Sequence, residues 1–169
     1  MNQSFTVEIR CHGGATMRVK DILRQKGSDV VTIAVDKTVH DAICDLNEHG
    51  IGALIVTGES GKISGIITER DIMKECGERC VHLDDPVRGH SACPALVKDV
   101  MTKDVVIGVP DDDLNYVMAV MTKNKIRHLP ILEEGRLAGI ISIGDVVNAH
   151  VEESDYENRL LKDYIQVAR

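Results

Sequence analysis

The sequence predicts a mixed α/β fold: two copies of one β-α-β-β-α unit packed face to face about a pseudo-two-fold axis. Two observations carry this prediction. Val30-Val31-Thr32-Ile33-Ala34-Val35-Asp36 is echoed 75 positions later by Val105-Val106-Ile107-Gly108-Val109-Pro110-Asp111. Gly61-Lys62-Ile63-Ser64-Gly65-Ile66-Ile67-Thr68 is echoed 74 positions later by Gly135-Arg136-Leu137-Ala138-Gly139-Ile140-Ile141-Ser142, Ser60 being one extra residue in the first copy's turn. An internal repeat marks a structural unit, and two units are too few for a solenoid, so each must bury its surface on the other.

The elements follow in order. Residues 1–16, with Gly13-Gly14 and no clear period, read as a flexible leader, and residues 17–76 form the first copy. A short lead-in, Val19-Lys20-Asp21-Ile22-Leu23, is matched by Val97-Lys98-Asp99-Val100-Met101 and runs into the β-branched strand. Val39, Ala42, Ile43 and Leu46 then fall at helical spacing, as do Leu114, Val117, Met118 and Met121. Thr38 and Asp113 stand where an N-cap belongs, while Gly50 and Asn124 stand where a left-handed C-cap belongs.

Ala53–Val56 and Leu129–Leu132 read as buried strands. Turns at Gly58–Gly61 and Glu133–Gly135 lead them into Ile63–Ile67 and Leu137–Ile141. A last helix opens at Thr68 or Ser142. Residues 77–96, with Gly77, Pro86, Gly89 and Pro94, read as an irregular connector, residues 97–152 as the second copy, and residues 153–169 as a C-terminal helix. Tyr156, Leu160, Tyr164 and Val167 line one face of that helix, which is expected to dock on the body or on a second subunit.

Composition narrows the function classes. The 43% hydrophobic content supports a core, but one Phe, three Tyr and no Trp make it aliphatic. A net charge of −7 argues against nucleic acid, which calls for clustered cations, and scarce aromatics remove stacking platforms. No apolar run approaches the roughly 20 residues that cross a bilayer, so no membrane is expected. With no apolar leader segment and five Cys, the chain reads as a cytoplasmic protein with reduced thiols.

The chemistry concentrates at one junction. Gly65-Ile66-Ile67-Thr68-Glu69-Arg70-Asp71 and Gly139-Ile140-Ile141-Ser142-Ile143-Gly144-Asp145 share the pattern G-h-h-[TS]-x-x-D. A hydroxyl and a carboxylate there cap free backbone amides, and capping alone explains a single copy. Recurrence in both repeats, at the end of a buried strand, points further. A carboxylate so placed can chelate vicinal ribose hydroxyls, and a helix N-terminus favours phosphate. That chemistry suits a nucleotide.

On these motifs, and on Val97-Lys98-Asp99-Val100-Met101-Thr102 and Ile126-Arg127-His128-Leu129-Pro130-Ile131, the chain resembles tandem cystathionine-β-synthase (CBS) domain proteins, the paired arrangement called a Bateman module. The resemblance spans about Val19 to Glu152. It implies two clefts that bind AMP, ADP, ATP, NAD(H) or a related adenosine ligand, with Asp71 and Asp145 holding the ribose. Thr68 and Ser142 would touch ribose or phosphate. Adenine would be read by backbone around Asp29 and Val31 in one cleft, and around Thr102, Asp104 and Val106 in the other, packing on Ile51 or Ile126. Arg127 and His128 would contact phosphate. Their counterparts are Gly52 and Ala53, so Arg70, matched by Gly144, is the candidate cation of the first copy.

Other signals are weaker. Cys76, Cys80, His82, His90 and Cys93 gather near the connector, but their spacing fits no standard zinc site and free thiols explain them. Cys44 is expected to pack within its helix. Asp111-Asp112-Asp113 reads as a solvated turn with an N-cap rather than a cation site. Gly50-Ile51-Gly52 precedes a strand, where a dinucleotide fingerprint follows one. The expectation is a non-catalytic, energy-sensing regulatory module, an adenine-nucleotide sensor that dimerises through its paired repeats and signals to a protein it regulates. A scaffold with degenerate clefts, or a zinc- or redox-responsive regulator, are the alternatives.

Overall fold

The structure, a computed structural model, describes residues 17–58, 61–80 and 95–167. The first repeat comprises α1 (Val19–Lys26), β1 (Thr32–Ala34), α2 (Val39–His49), β2 (Ala53–Thr57), β3 (Ile63–Thr68) and α3 (Glu69–Cys80). The second comprises α4 (Val97–Val100), α5 (Leu114–Asn124), β4 (His128–Glu133), β5 (Arg136–Ser142) and α6 (Ile143–Val167). β1 pairs parallel to β2, and β2 antiparallel to β3. β4 and β5 form an antiparallel pair.

The helical faces read from the sequence are the buried ones. Val39, Ala42 and Leu46 of α2, and Leu114, Val117 and Met121 of α5, are buried, with Ile43 and Met118 packed beside them. Thr38 and Asp41 cap α2 reciprocally, and the Asp113 carboxylate accepts from the Asn115 and Tyr116 amides at 2.8 and 3.3 Å. Cys44 falls off the buried stripe of α2. Instead of packing, it is exposed, its Sγ 3.8 Å from His40 Nε2.

Each lead-in helix completes the core of the other repeat. Val19 and Ile22 of α1 are buried with Leu114, Leu129 and Ile141 of the second repeat, and Ala95 and Val97 with Val39, Leu54 and Ile67 of the first. The backbone shows the same exchange twice. Val19 N–H donates to Asp112 O and Lys20 N–H to Pro110 O; Val97 N–H donates to Lys37 O and Lys98 N–H to Val35 O. These acceptors stand 75 positions apart, so the pseudo-two-fold holds at the level of single hydrogen bonds. A third cluster, Ala53, Ile55 and Ile66 with Leu137 and Ile140 against it, joins the two sheets.

Besides Cys44, the structure departs from the sequence reading at four places. The strand expected at Val105–Val109 shrinks to one bridge, Gly108 with Ile131. In the first repeat Ile55 N–H donates to Val31 O. Its counterpart is Pro130, which has no N–H to offer Val106, so that ladder cannot extend. The left-handed C-cap of α5 is Lys125 (φ 55°), one residue past Asn124, matching Gly50 (φ 61°). Asn124 instead donates its side-chain amide to Val120 O. Helix α3 runs to Cys80 and takes the first residues of the expected irregular connector, since a lone Gly77 is tolerated in a helix. Finally, no Pro falls in Ile143–Val167 and its one Gly, Gly144, lies in the first turn, so the second repeat's last helix and the tail form one helix of 25 residues. The leader and most of the connector, with His82, His90 and Cys93, lie outside the described residues, as do the side chains of Cys80, Leu160, Tyr164 and Val167.

Candidate functional site

The repeated junction is built from a strand end and a helix start. β3 delivers Thr68, whose N–H and hydroxyl both donate to Asp71 Oδ2, at 2.9 and 2.7 Å. β5 delivers Ser142, whose N–H and hydroxyl donate to Asp145 Oδ2 at 2.6 and 2.8 Å. The Asp71 and Asp145 amides return to those hydroxyls at 3.4 and 3.2 Å. Each carboxylate is therefore held by its own capping box through a single oxygen, Oδ2.

The shared glycines explain how the opposite repeat comes close. A Cβ on Gly65 would lie 2.8 Å from Thr102 O, and one on Gly139 would lie 2.5 Å from Leu23 Cδ2. Ile66 and Thr102 exchange both backbone hydrogen bonds, at 3.0 and 2.9 Å. Thr102 Oγ1 then reaches Asp71 Oδ1 at 3.3 Å. The structure thus brings Thr68, Asp71 and Thr102 together where the two repeats meet.

The other junction differs by a lysine. Lys26 Nζ lies 2.6 Å from Asp145 Oδ2 and 3.3 Å from Ile140 O. Partial burial pushes the Asp145 carboxyl upward, but Lys26 and the Ser142 amide and hydroxyl outweigh it, holding it below the usual value. Sequence reasoning missed Lys26. Its signal was the spacing: Val19 to Val30 is three residues longer than Val97 to Val105, and the extra turn makes α1 eight residues against four for α4.

Between the two junctions opens a cleft of about 490 Å³. Ile51, Arg127, His128 and Ser142, all expected site residues, line it, together with Gly52 and Glu69. Glu69 N–H donates to Gly52 O as Ile143 N–H donates to Arg127 O, so the cleft straddles the pseudo-axis. Arg127 Nη2 stands 3.8 Å from Glu69 Oε2. Burial, with Arg127 and Lys26 adding to it, lowers the His128 pKa below its usual value, so the ring is neutral near pH 7.

The remaining expected residues sit apart from that cleft. Arg70 is exposed, and its Nη1 donates to Lys125 O at 2.9 Å, tying α3 to the end of α5. Asp29 and Asp104 are exposed. Val31, Val106 and Ile126 are half-buried and pack on the flanking cores. Cys76 packs on the first-repeat core, and among the described residues no group of three or more His, Cys, Asp or Glu is placed to hold a metal. Asp111 pairs with Lys20 at 2.7 Å, and Asp112 accepts from Val109 N–H. Among the described residues no helix is long and apolar enough to cross a membrane.

Comparison with known proteins agrees with this architecture. The CBS domain profile matches residues 19–78 and 97–152. A mitochondrial CBS domain-containing protein of Arabidopsis thaliana is 33% identical over 162 residues, covering 91% of this chain and 74% of that one. A CBS-domain protein of Agrobacterium tumefaciens is 40% identical, with a TM-score of 0.72 over 83% of this chain and 98% of that one. A CBS domain pair crystallised with 5-methylthioadenosine and S-adenosyl-L-methionine has a TM-score of 0.68 at 24% identity, covering 82% of this chain and 99% of that one. A CBS domain protein of Pyrobaculum aerophilum complexed with AMP has a TM-score of 0.63 at 17% identity, covering 76% and 89%. The chain belongs to the CBS domain family, as a pair of repeats that complete each other's cores.

Proposed function

We propose that this CBS pair is a non-catalytic regulatory module that binds adenosine-containing ligands in its inter-repeat clefts. The observation that carries the reading is the duplicated carboxylate, Asp71 and Asp145, each held by its own hydroxyl and met by a side chain of the opposite repeat, Thr102 or Lys26. Two structural neighbours support the ligand class, one holding AMP and the other 5-methylthioadenosine and S-adenosyl-L-methionine. Asp71 and Asp145 take the ribose, Thr68 and Ser142 the ribose or phosphate, and Arg127 and His128 the phosphate end of the second-repeat ligand. Adenine lies against backbone near Asp29 and Val31, or near Thr102, Asp104 and Val106, with Ile51 or Ile126 beneath. Arg70 steadies the end of α5 behind the phosphate-binding turn.

Regulation follows if ligand binding favours one packing of the repeats and a partner protein reads it, which requires differential affinity for two states. A second copy of the chain is the first partner. Met73, Tyr116 and Val151, on α3, α5 and α6, are 72, 59 and 53% exposed, apolar surface that a homodimer would cover.

A thermal-shift screen with AMP, ADP, ATP, NAD⁺, NADH and S-adenosylmethionine tests the reading. A ligand at a hundredfold excess over its Kd stabilises by about 2.7 kcal/mol. The shift should shrink in Asp71→Ala or Asp145→Ala. A cooperative melt that no ligand moves would leave the scaffold alternative in its place.

A further inference from the structure

The cleft on the pseudo-axis contains one feature that the duplicated motif does not explain. Residue 69 opens α3 and its counterpart Ile143 opens α6, yet one is an acid and the other is apolar. Glu69 Oε2 faces Arg127 Nη2 at 3.8 Å across the cleft. A Cβ on Gly52 would lie 3.1 Å from His128 Cε1 and 3.4 Å from Glu69 Oε2, so carboxylate and imidazole converge on one point of the wall. Ser142, whose hydroxyl holds Asp145, lines the same cleft. A ligand held through its ribose by Asp145, with its 5′ side toward Ser142, would carry its 5′ substituent toward Arg127 and Glu69.

The charge there is balanced. Arg127 brings one positive charge and Glu69 one negative, while the Lys26 ammonium is held on Asp145 at 2.6 Å. A triphosphate carries several negative charges, and each group beyond the first would approach the Glu69 carboxylate with no further Lys or Arg among the described residues that line the cleft. Like charges brought together at a binding surface exclude the wrong partner more than they weaken the right one.

We propose that Glu69 is a specificity-determining residue that restricts the Asp145 cleft to adenosine ligands whose 5′ substituent carries little negative charge, a single phosphate or a neutral or cationic group, and turns polyphosphates away. The inference rests on the ligand class proposed above and assigns the charge of the ligand within it.

The test is calorimetric titration of AMP and ATP, without magnesium and at fixed ionic strength, into protein carrying Asp71→Ala so that only the Asp145 cleft is read. If that variant does not melt cooperatively, Asp71→Asn replaces it. With Glu69 present, AMP binds more tightly than ATP. Glu69→Gln, which keeps the shape and removes the charge, narrows the ATP-to-AMP ratio of Kd by about tenfold. A merely structural role for Glu69 would weaken both ligands together and leave the ratio alone. An unchanged ratio, or ATP binding more tightly than AMP with Glu69 in place, overturns the specificity role while leaving nucleotide binding intact. Binding of neither ligand to any variant overturns both.

Discussion

Lys26 Nζ sits 2.6 Å from Asp145 Oδ2, whereas the matching carboxylate of Asp71 meets the Thr102 hydroxyl at 3.3 Å. The duplicated motif has thus been given two environments. Ribose chelation at Asp145 must displace or share an ammonium; at Asp71 it displaces only a neutral hydroxyl. Lys26→Met is expected to tighten adenosine binding at the Asp145 cleft several-fold. It should cost at most about 1 kcal/mol of stability, because the pair is partly exposed. Calorimetry in the Asp71→Ala background reads the first effect and urea denaturation the second. Weaker binding in Lys26→Met would show that the ammonium contacts the ligand instead of blocking it.

Capping and ligand binding can be separated at Asp71. Asn keeps an oxygen that accepts from the Thr68 amide and hydroxyl, but it loses the charge that chelates a diol. Asp71→Asn should melt within a degree or two of the natural protein, while Asp71→Ala loses about 1 kcal/mol with its cap. Both should lose ligand at the first-repeat cleft, as followed by thermal denaturation and titration.

The two motif glycines predict unequal damage. A methyl at Gly65 meets the Thr102 carbonyl, part of a backbone pair that cannot turn aside; a methyl at Gly139 meets the flexible end of Leu23. Gly65→Ala should destabilise by about 1–3 kcal/mol and Gly139→Ala by less, as measured by urea unfolding. The reverse order would contradict the close approach of Thr102 to β3.

Acid should weaken the fold in two windows. His128 has its folded pKa lowered, by burial first and then by Arg127, so below the usual 6.5 the unfolded chain binds the extra proton and folded stability falls with pH. Asp145 is also lowered, with Lys26 and Ser142 overcoming burial, so its contribution is present above 3.8 and disappears as pH falls through the folded value. Urea midpoints between pH 7.5 and 5.5 should decline, and His128→Gln should flatten that decline. An NMR titration placing the His128 midpoint at or above 6.5 would contradict the assignment.

Much of this was legible in the sequence because the chain states one pattern twice, once in each repeat. The stripe Val39-Ala42-Leu46 and its echo Leu114-Val117-Met121 fix two helices without reference to anything distant. The capping pairs Thr68–Asp71 and Ser142–Asp145 are equally local. What was not legible depends on partners far along the chain. Pro130 removes a hydrogen bond owed to Val106, so the loss shows up 24 residues before its cause. The cross-repeat packing of α1 places Lys26 on Asp145, 119 residues away, and no local pattern announces that pairing. Glu69 reads as an ordinary first-turn acid until the pseudo-axis sets it against Arg127.

The most direct measurement is calorimetric titration of AMP into the natural protein, Asp71→Asn, Asp145→Asn and the double variant. Each single substitution is expected to abolish one class of site and leave the other, and the double variant to bind nothing while still melting cooperatively. Undiminished AMP binding in a folded double variant would contradict the claim that these two carboxylates hold the ligand.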